Sequence, residues 1–139
     1  MKILVVNGPI LNKLGQREPE KYGKFTLQDI EAELKKLKGA DFSFFQSAIE
    51  GEIVNAIIES DADGIIINAG AYTHYSVAIR DALTAVKIKA IEVHITNTAA
   101  REIFRNVSVI SEVCSGTITG FGIYSYVLAA ISLIKGYTR

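Results

Sequence analysis

Tyr22 and Arg17 lie five residues apart in the polar segment NGPILNKLGQREPEKYG, residues 7–23. A tyrosine hydroxyl ionises near pH ~10, and lowering that value by about two units requires roughly 2.7 kcal/mol of preference for the anion. A guanidinium about 4 Å away can supply an energy of that size at an effective dielectric constant of about 20. Tyr22 is therefore a candidate general base that Arg17 activates. A tyrosine in a loop is more often a packing residue, and the spacing alone leaves both interpretations open.

His94 lies in the segment EVHITN, two residues after Glu92. Histidine needs little adjustment to act as a general acid near neutral pH, so His94 is the candidate acid. Residues two apart on a strand share a face, which would let Glu92 accept a ring N–H from His94. The alternative is a histidine that only forms a hydrogen bond at the end of a strand.

Donor groups for an anion follow His94 directly. The backbone N–H groups of Ile95 and Thr96 could form an anion-binding nest. The Thr96 hydroxyl and Asn68, which follows another apolar run, would extend it. Such a set of donors suits the carboxylate of a small polyol better than a nucleotide.

His74 is the other of the two histidines and lies in AYTHYS. It either caps the helix that follows or binds a ligand hydroxyl, and the pattern does not decide between them. Two histidines without matching carboxylate spacing do not favour a metal site.

Alternating strands and helices are expected to position these residues. Continuous apolar runs such as KILVV and GIIIN are typical of buried parallel strands. Five strands in about this length predict an α/β fold, a flavodoxin-like doubly wound parallel sheet in three layers, with ligands at the carboxyl ends of the strands. The predicted strands are 2–6, 42–46, 64–68, 89–94 and near 116–120; the predicted helices are Thr26 to about Lys38, 50–60, 76–86, near 99–105 and within 122–135.

Bulk composition narrows the class of protein. The 139 residues fit one domain, 1–139, and 49% are hydrophobic, which excludes disorder. Fifteen basic and fifteen acidic residues balance, so no global charge favours nucleic acid or an anionic membrane. A lone cysteine, Cys114, and the lack of a signal-like start or a membrane-length apolar run lead us to expect a cytoplasmic protein.

The same segments together resemble the type II 3-dehydroquinate dehydratases, and the likeness runs nearly end to end. It is carried by NGPILNKLGQREPEKYG, TLQDIE, DGIIINAGAYTH, IEVHITN, AREIFR and GFGIYSYVLA. The resemblance implies a flavodoxin-like lyase of the shikimate pathway that removes water from 3-dehydroquinate by trans elimination, through an enolate, to give 3-dehydroshikimate. It also implies trimers packed into a homododecamer, and neither a metal nor an organic cofactor.

Carried over by residue, the resemblance makes Tyr22 the base that removes a proton beside the C3 ketone. Arg17 would stabilise the phenolate and the transition state. His94 would protonate the departing C1 hydroxyl, oriented by Glu92. The implied substrate-binding residues are Asn68, Ile95 and Thr96 for the carboxylate and a neighbouring hydroxyl, His74 and Arg105 for ring hydroxyls, and Asp81 for the site of a neighbouring subunit.

Ile10 departs from the family pattern, in which GPNLN places an asparagine at this position to hold a water against the enolate oxygen. Asn12 could stand in for that asparagine if the segment were extended. The departure predicts a slowed enzyme, and it leaves open the alternative of a silent homologue that keeps the oligomer and binds shikimate-like acids. A flavin-binding electron carrier is a third possibility. The segment after the first strand does not favour it, because a flavodoxin has a hydroxyl-rich phosphate-binding loop there and this chain has NGPILN.

Overall fold

Five parallel strands form the centre of the molecule. The computed structural model describes residues 1–137, and its sheet has the order β2-β1-β3-β4-β5. This is the order of the flavodoxin-like fold, so the predicted fold class is confirmed. The strands are β1 (Lys2–Asn7), β2 (Asp41–Gln46), β3 (Gly64–Asn68), β4 (Lys89–His94) and β5 (Gly116–Thr119).

Helices cover both faces of the sheet and complete the three predicted layers. Two of them, α2 and α5, pack on the face that carries Ile3 and Val5, and α3 and α4 pack on the face that carries Leu4 and Val6. Successive strand residues alternate between faces, which is why a continuous apolar run is needed to fill both cores. The helices are α1 (Pro19–Tyr22), α2 (Leu27–Lys35), α3 (Glu50–Ile58), α4 (Val77–Val86) and α5 (Tyr124–Lys135).

Some helix boundaries differ from the prediction. The expected helix to Lys38 ends at Lys35, because the N–H groups of Lys36 and Leu37 turn to tighter bonds with the Glu33 and Leu34 carbonyls. The helix expected near 99–105 is instead two 3₁₀ turns, Thr98–Ala100 and Ile103–Asn106. The single-turn α1 was not predicted. These differences all fall in segments with few buried apolar positions.

A complete capping box starts α2, as the sequence predicts. The Asp29 N–H donates to Thr26 Oγ1 at 3.3 Å, and the Thr26 N–H donates to Asp29 Oδ2 at 2.8 Å. Both bonds satisfy backbone donors that a helix start leaves unpaired. They fix where the segment 7–23 ends and the helical layer begins.

None of the helices within residues 1–137 is long and apolar enough to span a membrane.

We expect Thr26→Ala to lower the free energy of unfolding by about 1 kcal/mol, because it removes the side-chain acceptor of the cap. Chemical denaturation measures this change. Thr26→Ser is the matched control, since it keeps the hydroxyl. Equal destabilisation by both substitutions would show that the hydroxyl is not what caps α2.

Candidate active site

One pocket lies at the carboxyl edge of the sheet, where the chain leaves β1, β3 and β4. The position of this pocket agrees with the prediction that ligands bind at the carboxyl ends of the strands. It brings together eight of the residues that the sequence singles out: Arg17, Tyr22, Asn68, His74, His94, Ile95, Thr96 and Arg105. Segments 9–11 and 70–71, with Thr98 and Arg101, complete the wall.

Tyr22 and Arg17 are in direct contact. Arg17 Nη2 donates to Tyr22 Oη at 3.1 Å, and the guanidinium carbon lies 4.3 Å from the centroid of the Tyr22 ring. Tyr22 is the last residue of α1, which starts at Pro19 after Glu18 in a left-handed conformation. The phenol is only 8% exposed, so the charge of Arg17 acts on it through protein rather than through bulk water. The Arg17 cation therefore lies directly against the Tyr22 hydroxyl at the pocket wall.

A second guanidinium, that of Arg101, approaches the same phenol and was missed in the sequence. Its carbon lies 5.4 Å from the Tyr22 ring centroid, and its Nη1 donates to Thr96 Oγ1 at 3.3 Å. Its Nε is buried without a hydrogen bond in the described residues, 3.7 Å from Glu102 Oε1. Arg101 is therefore a second cation of the pocket wall beside the phenol. In the sequence, its position four residues before Arg105 was the feature that could have indicated Arg101.

His94 is held from behind by a buried carboxylate. Its Nε2–H donates to Glu92 Oε1 at 2.6 Å, and Glu92 Oε2 accepts from the Ser108 hydroxyl at 2.9 Å. Glu92 is 1% exposed and stands outside the pocket wall, on the same face of β4 as His94. With Nε2 held by Glu92, Nδ1 is the ring nitrogen that can serve a ligand. Ser108 was not anticipated from the sequence.

The lone cysteine lies beside this carboxylate. Burial, together with the negative charge of Glu92, raises the pKa of the Cys114 thiol to about 12. The thiol therefore stays neutral near pH 7, and a neutral thiol is a poor nucleophile.

The segment after β4 is tied to the loop before α5. Gly120 and Gly122 donate backbone N–H groups to the carbonyls of His94 and Ile95, at 3.2 and 3.0 Å. The Ser125 hydroxyl also donates to the His94 carbonyl, at 2.9 Å. With its carbonyls held in this way, the segment keeps Thr96 at the pocket wall. Asn68 reaches the same pocket from the end of β3.

His74 is not a helix cap. Ser76 is the N-cap of α4, and its hydroxyl accepts from the Ile79 N–H at 3.1 Å. His74 Nδ1–H instead donates to the Val107 carbonyl at 2.7 Å, and the ring lines the pocket. Of the two possibilities that the sequence left open, the structure excludes the cap.

Arg105 and Asp81 occupy different places. Arg105 lines the pocket and forms an ion pair with Glu102, Nε to Oε2, at 2.9 Å. Asp81 lies on the exposed side of α4 and outside the pocket of its own chain. The expectation that Asp81 serves a neighbouring subunit's site stays a prediction.

Ile10 lies at the pocket wall in a left-handed backbone conformation, with φ 68° and ψ −9°. A β-branched residue is a genuine outlier there, whereas asparagine tolerates this conformation. The side chain is 53% exposed, so little burial offsets the strain. Asn12 cannot stand in as expected, because Leu11–Lys13 is a 3₁₀ turn rather than extended, and Asn12 lines a different cleft.

Known proteins resemble this chain over nearly its whole length. A sequence model of the family "Dehydroquinase class II" matches residues 1–134. A 3-dehydroquinate dehydratase of Nitratiruptor sp. is 55% identical over 96% of this chain and 88% of the relative. A catabolic 3-dehydroquinase of Debaryomyces hansenii is 54% identical over 92% of this chain and 93% of the relative.

A solved structure agrees in backbone as well as in sequence. The crystal structure of the type II dehydroquinase from Butyrivibrio crossotus superposes with a TM-score of 0.92 and 48% identity, over 96% of this chain and 97% of that one. Neither the relatives nor this structure support the alternative of a silent homologue. With the sequence match running from residue 1 to residue 134, this chain belongs to the class II dehydroquinase family.

Proposed function

We propose that this protein is a 3-dehydroquinate dehydratase, a hydro-lyase that converts 3-dehydroquinate to 3-dehydroshikimate by trans elimination of water. The observation that carries the proposal is one pocket with a cation-paired tyrosine and a carboxylate-paired histidine on its wall. The family match and the printed names of the relatives support the same reaction. A base and an acid in one pocket are what an elimination requires.

Tyr22 acts first, as the base. Its phenolate takes the proton from the carbon beside the C3 ketone, and the electrons of that C–H bond form an enolate. Arg17 at 3.1 Å and the more distant Arg101 stabilise the phenolate before the transfer. Both cations then remain beside the negative charge that the reaction develops, which is where electrostatic stabilisation lowers a barrier most effectively.

His94 acts second, as the acid. The enolate electrons form the new carbon–carbon double bond and restore the ketone while the bond from C1 to its hydroxyl breaks. His94 gives its proton to the departing oxygen, so water leaves. The bond to Glu92, held in turn by Ser108, orients the imidazole for that step. Trans elimination requires the base and the acid to approach opposite faces of the ring.

The remaining wall residues bind and orient the substrate. Asn68, with the backbone of Ile95 and the Thr96 hydroxyl, holds the carboxylate and a neighbouring hydroxyl. His74 and Arg105 bind ring hydroxyls. The bond from Arg101 to Thr96 joins this binding group to the base. No metal or organic cofactor takes part in the steps proposed.

We further propose a trimer-based homododecamer in the cytoplasm, in which Asp81 reaches a neighbouring subunit's site. The exposed position of Asp81 on α4 is consistent with this. Large apolar side chains in the 3₁₀ turn that carries Arg105 are also exposed: Ile103 by 84% and Phe104 by 56%. Apolar side chains exposed together are typical of a surface that contacts another protein.

Turnover of 3-dehydroquinate, followed as the absorbance of the conjugated enone product, tests the proposed function. We expect the unmodified protein to be active and Tyr22→Phe to lose about 10²–10⁴-fold in kcat, because the base is gone. Tyr137→Phe is the matched control, since it removes an exposed hydroxyl elsewhere. An inactive unmodified protein refutes the proposal, and an active Tyr22→Phe variant refutes the role of Tyr22.

Ile10→Asn is expected to raise kcat, by up to about 10²-fold, because an amide at this wall position can hold a water against the enolate oxygen. The same substitution is expected to raise the free energy of unfolding by about 1 kcal/mol, since asparagine is less strained in the left-handed conformation.

Ile10→Val is the control for both effects. It keeps a β-branched apolar side chain and is expected to change neither kcat nor stability by more than a small amount. Absence of a gain in kcat on Ile10→Asn would contradict a slowing effect of Ile10, whatever the stability result.

A further inference from the structure

Two asparagines end the two central strands side by side. Asn7 of β1 and Asn68 of β3 are partners in the parallel register. Both are buried, at 4% and 3% exposure, although the residues before them on each strand are almost entirely apolar. Buried amides need hydrogen-bond partners, and these two share one.

Tyr126 of α5 lies between the two amides and is fully buried. Its hydroxyl donates to Asn7 Oδ1 at 2.7 Å and accepts from Asn68 Nδ2 at 2.9 Å. Burial raises the pKa of Tyr126, so the hydroxyl keeps its proton near pH 7. We call the chain of bonds from Asn7 through Tyr126 to Asn68 the asparagine relay.

The direction of every bond in the asparagine relay is determined. The backbone N–H of Gly70 donates to Asn68 Oδ1 at 3.2 Å, and an N–H cannot accept, so Asn68 must turn its Nδ2 toward Tyr126. A hydroxyl has a single proton. Since Tyr126 accepts from Asn68, that proton goes to Asn7 Oδ1.

The asparagine relay affects the pocket through Asn68, which lines the pocket wall. Asn7 and Tyr126 do not line it. Asn68 uses one of its two Nδ2–H donors on Tyr126 and keeps the other for a ligand. A flipped amide would present an oxygen instead, which would repel a carboxylate. Asn7 lies on the far side and lines a second cleft, so it can be changed without altering the pocket wall.

We propose that Asn7 and Tyr126 are positioning residues that hold Asn68 as a hydrogen-bond donor and thereby set the affinity for the substrate carboxylate. The inference rests on the proposed function, in which Asn68 contacts that carboxylate. The relay acts on binding of the substrate and not on proton transfer. Loss of the relay therefore weakens the binding of the substrate and of the transition state by the same amount, which raises KM and leaves kcat nearly unchanged.

Three variants test the asparagine relay: Asn7→Leu, Tyr126→Phe and the double variant. We expect each to raise KM about tenfold, the size of one lost hydrogen bond to a charged group, with kcat within about twofold. If Asn7 acts only through Tyr126, the double variant raises KM no more than the more affected single variant does. Tyr72→Phe is the matched control, because it removes a tyrosine bond to the Ala48 carbonyl outside the pocket.

Calorimetric binding of shikimate, a ring carboxylate without the reactive ketone, provides a readout that does not need turnover. We expect its Kd to rise by the same factor as KM. Thermal unfolding identifies any variant that does not fold. Leucine keeps the branching and the number of heavy atoms of the asparagine side chain, so Asn7→Leu decides the question if Tyr126→Phe is unstable.

The two proposals fail in different ways. If the unmodified protein neither turns over 3-dehydroquinate nor binds shikimate, the proposed function is wrong and the relay has no substrate to position. If the unmodified protein is active and a folded Asn7→Leu variant keeps its KM and Kd, or loses kcat instead, only the relay is overturned.

Discussion

At their carboxyl ends β1 and β3 run side by side, and the Gly8 N–H donates to the Asn68 carbonyl at 2.8 Å. The approach is so close that a Cβ on Gly8 would lie 2.4 Å from the Ala69 carbonyl oxygen. Beyond this point the chain from β1 turns toward β2 and the chain from β3 turns toward β4. The crevice between the diverging segments is where ligands bind in open α/β sheets, and the pocket residues line it from these two segments and from the segment that follows β4.

Opposite charges lie at different places around the pocket, although the formal net charge of the chain is zero. Arg17 and Arg101 surround the phenol of Tyr22, while buried Glu92 stands behind His94. Each partner places its charge against the side chain that it contacts, a cation beside the proposed base and an anion beside the proposed acid. Because these groups are largely shielded from water, the effect is local and needs no field from the rest of the surface.

Much of this could be read from the sequence, and what could not depends on tertiary contact. The strands follow from apolar runs, the start of α2 from its capping box, and the Glu92–His94 pair from their spacing of two on a strand. Arg101 was missed because its relation to Tyr22 arises only where the segments after β1 and β4 meet. The left-handed conformation of Ile10 contradicts the preference of its own residue type, so no local rule indicates it. Tyr126 resembles any other core residue of an apolar helix until Asn7 and Asn68 are placed beside it.

In the proposed mechanism Tyr22 makes the enolate and His94 releases the water. Proton NMR of 3-dehydroquinate in D₂O with the His94→Ala variant separates these two steps. We expect this variant to incorporate deuterium beside the ketone without forming the enone, whereas the Tyr22→Phe variant and the double variant incorporate none. Deuterium incorporation by Tyr22→Phe at the rate of His94→Ala would contradict the assignment of the base.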